Sequence, residues 1–218
     1  MCPSKKTHST RKHRQTQRWI VPASALLLLA IILSAAYFWY PKNSANSHQD
    51  QPSAFETYAD HYIWIMQNLN STETKANIAA LLDPKYNQTD LLTWEQTKLT
   101  FTQDTKGFFE DPTQILNNGK GICVQWSIVY VSACLALNHP SRLVVAADTT
   151  SWSFIHTWAE DYYNESWVHV DPSDKVWNSP LRYQGWDWGP AIGSGVRIYA
   201  FNDRGFEDIT SNYIPRSN

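Results

Sequence analysis

Cysteine is scarce in this chain: Cys2, Cys123 and Cys134 are all that 218 residues contain. That excludes a disulfide-framed scaffold and the usual four-Cys zinc sites. Outside His156 and His169, the histidines (His8, His13, His48, His61, His139) lack metal-ligand spacing. No metal and no cofactor are therefore expected. Charge is also sparse, at 17% of residues with a net of −2, which argues for no nucleic-acid partner. Internal repeats and low-complexity segments are absent. Apolar residues reach 43%, which excludes disorder for most of the chain. What is abundant is the aromatic side chain: 14% of residues, 11 of them Trp. The length suits one ordinary domain plus a short extra segment.

The charge is unevenly placed. Residues 1–18 hold Lys5, Lys6, Arg11, Lys12, Arg14 and Arg18 and no acid, so the other 200 residues carry 12 Lys/Arg against 20 Asp/Glu. From Trp19 to Tyr40 no charged residue occurs. A helix of that length spans about 33 Å, enough for the hydrocarbon core of a membrane. Trp19 at one end and Tyr37, Trp39 and Tyr40 at the other fit interfacial belts. Pro22 falls in the first turn, where a missing N–H costs least. The basic tail places the N-terminus in the cytoplasm and the rest of the chain outside it. The rival reading is a cleaved signal peptide with Ser34-Ala35-Ala36 as its small-residue site. Either way the remainder is exported. The expected organisation is a basic cytoplasmic tail over 1–18, a transmembrane helix over 19–40, a polar linker over 41–53 and one domain over 54–218.

Within that domain, Phe55, Tyr58, Ala59, Tyr62, Ile65, Met66 and Leu69 recur at helical spacing after Ser53. A second helix is expected around 73–82, ending before Asp83-Pro84. Residues 89–105 are ambiguous, and Phe108–Pro112 reads as a loop. The stretch NNGKGIC is a glycine turn opening an apolar helix from Cys123 to about Leu137. Strands follow at Leu143–Ala147, Phe154–Glu160, Trp167–Asp171 and Arg197–Phe201, with a short one near Glu207–Thr210. Helices first, then consecutive strands, predict an α+β fold.

Cys123 opens a helix, where the positive end of the macrodipole favours a thiolate, the form that attacks carbonyl carbon. A buried inert Cys is the commoner outcome for such a residue alone. His156, in an alternating strand 33 residues on, supplies an imidazole able to take and return a proton. Asp171 ends the next strand, 15 residues after His156. If the two strands pair antiparallel through the turn at Tyr163–Ser166, their distal ends bring His156 and Asp171 together. The carboxylate would then orient the imidazole and steady its charged form. His169 shares a strand face with Asp171 and competes with His156 for the role of base. Cys134 lies about 20° and about 16 Å from Cys123 along one helix, so it reads as core rather than as a disulfide partner.

The motifs GKGICVQW, HTWAE and WVHVDPSD resemble those of the transglutaminase-like superfamily, and more narrowly of peptide:N-glycanases. In that family a Trp follows the Cys by three residues, then come His-x-Trp-x-Glu and Trp-x-His-x-Asp strands. Those positions are Cys123 with Trp126, His156 with Trp158 and Glu160, and Trp167 with His169 and Asp171. The likeness continues through Pro180, Tyr183 and Trp186 to Ile198–Phe201 and Glu207–Thr210, about residues 90–214. It implies a papain-like thiol enzyme with N-terminal helices and an antiparallel sheet, a Cys123–His156–Asp171 triad, and a protein or glycopeptide substrate. The chain departs from the family in lacking paired CxxC motifs, in carrying Gln125 where Glu is common, and in its expected export. By the same resemblance Trp94 would lend an indole N–H to an oxyanion beside the Cys123 backbone N–H, with Trp126 in support, core packing being the commoner role for such a Trp.

Trp186 and Trp188, in Gly185–Gly189, are candidates for stacking on a sugar, with core packing as the alternative. Asn70, Asn87 and Asn164 begin Asn-x-Ser/Thr sequons. Two classes of function follow. One is an anchored extracytoplasmic Cys-His-Asp amidase, whether glycanase, cysteine protease or transglutaminase. The other is a silent module binding glycoprotein or cell-wall material. An intact Cys and His favour the enzyme.

Overall fold

The computed structural model describes residues 54–104, 110–151, 153–185 and 195–214. The first helix, α1 (Ala54–Leu69), buries Ala59, Tyr62, Ile65, Met66 and Leu69, the stripe its spacing predicts. α2 (Thr72–Ala79) starts at Ser71, whose hydroxyl accepts from the Thr74 N–H. It stops three residues short of the expected end. There Leu81 and Leu82 bond back to Ile78 and Ala79, a tightened turn leading to Asp83-Pro84. α3 (Gln88–Gln96) settles part of the ambiguous stretch. Asn87 and Asp90 form a reciprocal capping box, and the helix buries Gln88 and Glu95 beside Leu91, Leu92 and Trp94. Polar residues on the inner face are what blurred its periodicity.

A helix the sequence reading did not identify, α4 (Pro112–Asn118), has Asp111 as its N-cap and Pro at its first turn. It ends at Gly119 with φ +69°, a left-handed position suited to glycine. Strand β1 (Thr100–Phe101) then pairs in parallel with β2 (Lys120–Gly121). This pair delivers the chain to α5 (Cys123–Ala136), the central helix, whose residues Val124–Cys134 are all buried.

Six strands form an antiparallel sheet: β3 (Ser141–Asp148), β4 (Ser153–Tyr163), β5 (Ser166–Asp171), β6 (Val176–Trp177), β7 (Val196–Asn202) and β8 (Gly205–Asp208). Their order is β6-β5-β4-β3-β7-β8. The β4–β5 hairpin turns through Asn164 and Glu165, both at positive φ (48° and 62°), a two-residue turn whose twist matches its strands. A 3-10 turn over Pro180–Gly185 precedes β7, and a short α6 (Thr210–Tyr213) ends the described chain.

Both faces of the sheet are covered. Leu143, Val145, Ala159, Val170, Tyr199 and Phe201 share a core with α1–α5, whereas Val144, Ala146, Trp158, Ile198 and Ala200 pack with Tyr183, Ile209 and Tyr213. This is why Leu143–Ala147 reads as an unbroken apolar run. Among the described residues no helix is long and apolar enough to cross a membrane. The expected tail, membrane helix and linker (1–53) lie outside the described residues, as do Trp186 and Trp188.

Candidate active site

Cys123 is the first residue of α5, so its backbone N–H has no acceptor within the helix. The turn before it is tightly specified. A Cβ on Gly121 would stand 2.8 Å from the Gln125 Cβ. The Gln125 side chain accepts from the Ile122 N–H at 3.2 Å, and the Trp126 indole donates to the Gly121 carbonyl at 3.1 Å. Trp126 thus supports the turn rather than facing solvent. Ser127 ties this turn to the sheet: its hydroxyl lies 2.9 Å from the Cys123 carbonyl and 3.0 Å from that of Thr157. The start of α5 is thereby held against the strand segment that carries His156.

His156 sits at an irregularity. β4 bulges against β3 between Ala146 and Ala147, leaving one extra residue beside His156. Bulges of this kind re-aim a side chain. The β4–β5 register, Ala159 opposite Val170, puts His156, Trp158 and Glu160 on one face with His169 and Asp171. His156 Nε2 lies 2.7 Å from Asp171 Oδ2. Its other hydrogen-bonding neighbour is the Cys123 thiol. With Nε2 engaged by Asp171, Nδ1 is the nitrogen that serves the sulfur. Trp158 stacks on the imidazole with ring centres 5.8 Å apart and planes inclined by 27°. The structure therefore brings Cys123, His156 and Asp171 together.

The electrostatics follow from the partners. Burial alone would lower the His156 pKa, but hydrogen bonds and charge from Asp171 and Cys123 outweigh it and carry it up to about 9. Burial would raise Asp171, yet donation from His156, Ser173 and Tyr183 holds it at about 2. His169 takes the opposite course to His156: burial, with Arg182 and His156 in support, lowers it to about 4. His169 bonds to the Tyr183 hydroxyl (2.9 Å) and the Ser179 N–H (3.4 Å), so it is placed behind Asp171 and engages the thiol nowhere.

Trp94 is buried in α3, which packs on α5. Its neighbour Glu95 was not singled out from sequence. Glu95 is fully buried, and neither carboxylate oxygen has a hydrogen-bond partner among the described residues. Burial, then the charge of Asp171, raise its pKa well above the carboxylate range, which favours its neutral form. Ser127, Ser173 and Tyr183 are the other site residues without assigned roles in the sequence reading. They sit four, two and twelve positions from Cys123 or Asp171, and only the folded chain aims them.

Farther along the same sheet face is a cleft of about 390 Å³ lined by Arg142, Glu160, Trp167, His169, Glu207 and Tyr213, among others. Arg142 is only 5% exposed. It pairs with Glu160 (2.6 Å) and Glu207 (3.0 Å), and its guanidinium lies 4.1 Å from the Trp167 ring centre. Tyr213 donates to Glu160 at 2.6 Å and accepts from the Trp158 indole at 3.1 Å. The His-Thr-Trp-Ala-Glu segment is thus anchored at three alternate residues. No cluster of His, Cys, Asp and Glu suited to a metal ion occurs among the described residues.

Residues 72–172 match the family model of the transglutaminase-like superfamily, and the described fold has the papain-like arrangement of a helix-borne Cys and an antiparallel sheet. Several curated relatives are named peptide-N(4)-(N-acetyl-beta-glucosaminyl)asparagine amidase. That of Drosophila melanogaster is 36% identical over 88 residues, 38% of this chain and 13% of that protein. Those of Yarrowia lipolytica and Arabidopsis thaliana are 27% and 30% identical over 112 and 110 residues, each half of this chain, and 28% and 14% of the relatives. Among solved structures, Rad4–Rad23 crosslinked to undamaged DNA superimposes with a TM-score of 0.54 at 14% identity, over 71% of this chain and 46% of that one. That likeness is one of fold.

Proposed function

We propose that the domain is a thiol amidase in which Cys123 attacks an amide carbonyl, His156 moves the proton and Asp171 holds the imidazole. The observation that carries this is the continuous contact from the helix-opening Cys123 through His156 to Asp171. A His156 pKa of about 9 keeps the imidazole protonated at neutral pH, which pairs it with a thiolate. Attack by sulfur forms a tetrahedral oxyanion, for which the Cys123 N–H is a donor and the Trp94 indole a candidate second one. His156 then protonates the departing amine, leaving a thioester. Water, deprotonated by the now neutral His156, attacks the thioester. The acid leaves and the thiolate–imidazolium pair returns.

The favoured substrate is the amide joining Asn to a glycan. The names of the curated relatives support it, since an asparagine amidase needs this chemistry. The cleft beside Trp167 supports it as well, because it offers an aromatic ring, a guanidinium and carboxylates on the His156 face. Trp186 and Trp188 are retained as candidate sugar contacts. The decisive experiment incubates a denatured N-glycoprotein with the purified full chain in detergent. Conversion of glycosylated Asn to Asp is expected, and cleavage of peptide bonds or amine incorporation at Gln with the glycan amide intact would replace this substrate by another. A catalytically silent module would yield none of these products.

For placement, we propose that residues 19–40 anchor the chain with its basic tail in the cytoplasm and the thiol domain outside. The charge asymmetry of the first 40 residues motivates this. Protease added to intact cells should digest residues 54–218 and spare the tail. Survival of the domain in sealed cells would reject it.

A further inference from the structure

The Asp171 carboxylate is gripped from several sides and not by His156 alone. Oδ2 accepts from His156 Nε2 at 2.7 Å and from the Tyr183 hydroxyl at 2.8 Å. Oδ1 accepts from Ser173 Oγ at 2.8 Å and the Asp174 N–H at 3.3 Å. The Tyr183 oxygen is itself 2.9 Å from His169 Nε2. Hydroxyl arithmetic sets the direction of every bond. Tyr183 has one proton, and an ionised Asp171 can only accept, so that proton points to Asp171. The Tyr183 oxygen must then accept, which puts a proton on His169 Nε2. His169 Nδ1 faces the Ser179 N–H, a donor, and so carries no proton. Burial of His169, which holds its pKa near 4, agrees with this neutral tautomer.

We propose that Tyr183 and His169 are positioning residues of the thiol site. The relay from His169 Nε2–H through Tyr183 O–H to Asp171 Oδ2 fixes the carboxylate that orients His156. This rests on the thiol-amidase reading, and it adds two residues that never meet the substrate's reacting atoms. Packing alone does not account for the pattern. The Tyr183 ring already rests on Trp158, with centres 4.7 Å apart, and a phenylalanine would keep that contact. What the hydroxyl adds is a donor on the oxygen of Asp171 that His156 uses. The titratable and charged groups around the relay are His156 on β4, Arg182 on the 3-10 turn, Asp174 after β5, Glu95 on α3 and Tyr213 on α6. His156 is raised to about 9 and His169 lowered to about 4, while burial and the charge of Asp171 shift Glu95 upward.

The test reads the Cys123–His156 pair without any substrate. Alkylation of the full-length protein by iodoacetamide is timed at pH 6 and pH 9.5, with Cys123 and Cys134 followed separately by mass spectrometry. Continued protection of Cys134 certifies the fold of each variant. At pH 6 the imidazolium held by Asp171 is present beside the sulfur, whereas pH 9.5 lies above the His156 pKa of about 9 and that help is largely gone. Tyr183→Phe and His169→Leu should each slow Cys123 alkylation about fivefold at pH 6 and change it less than about twofold at pH 9.5. His169→Gln, which restores an amide donor at the reach of Nε2, should rescue most of what His169→Leu loses. The Tyr183→Phe/His169→Leu double variant should be no slower than either single, because the residues act in series. Equal slowing at both pH values, additive losses, or no change at pH 6 would overturn the relay while leaving the amidase reading intact. Wild-type Cys123 reacting at pH 6 no faster than a free thiol would reject that reading and the relay with it.

Discussion

The two ends of α5 present a cysteine to a carboxylic acid, and the outcomes are opposite. At the N-terminus, Cys123 meets His156, and behind the imidazole Asp171 collects hydrogen bonds from His156, Tyr183 and Ser173. Asp171 is consequently ionised, at about 2. At the far end, Cys134 Sγ lies 3.7 Å from Asp161 Oδ2, and the Tyr130 hydroxyl donates to the same oxygen at 2.6 Å. No cationic side chain bonds to that pair among the described residues. Burial raises both the thiol and the carboxyl. A thiol beside a carboxylate is therefore not by itself a reactive site. The imidazole between them, together with the positive end of the helix, separates the proposed nucleophile from the buried residue 11 positions away.

This contrast can be broken from either end. The largest expected effect is at the nucleophile. Cys123→Ala should lower turnover on the glycoprotein substrate by about a thousandfold or more, whereas Cys134→Ala should stay within about threefold and cost about 1 kcal/mol of stability. Equal losses in the two assays would dissolve the distinction. Next comes the acid. Asp171→Ala should cut turnover on the order of a hundredfold through loss of the oriented imidazolium, with melting temperature the control for folding. Asp161→Asn keeps the shape of a group whose charge burial already disfavours, so its turnover should remain within about twofold.

The smallest effect sharpens the comparison between the two histidines of the His156 face. A folded pKa of about 4 for His169, against about 6.5 unfolded, means the unfolded chain binds the extra proton first. The associated stability is complete above pH 6.5 and is lost as pH falls through 4, about 1–3 kcal/mol in all. His156 carries the reverse sign: its contribution is complete below pH 6.5 and is lost as pH rises through 9. Urea midpoints measured from pH 4 to 7 should therefore rise with pH in the wild type and flatten in His169→Gln. An unchanged slope would mean that His169 is not held neutral.

Much of this was legible in advance. The positions of α1 and α5, the β4–β5 hairpin and the α+β order followed from periodicity, a glycine turn and a short polar turn, all local signals. α4 was missed because seven residues with Ile115 as their one buried aliphatic make no periodic pattern. α3 was obscured because Gln88 and Glu95 face inward.

What the sequence by itself determined is the placement and order of three residues: a Cys opening a helix, then a His and an Asp on neighbouring strands with side chains on one face. Strand alternation and hairpin length suffice for that, because both act over a few residues. Only the tertiary structure decided how those groups are held. The bulge beside His156, the Ser127 bridge to Thr157 and the Tyr183 bond to Asp171 join residues 7 to 30 positions apart. The upward shift of Glu95 is of the same kind, because burial and the charge of Asp171 act on it only once α3 has docked. Periodicity reports which face of an element is buried. It carries no record of what the facing element will bring, and pKa values are set by that second party.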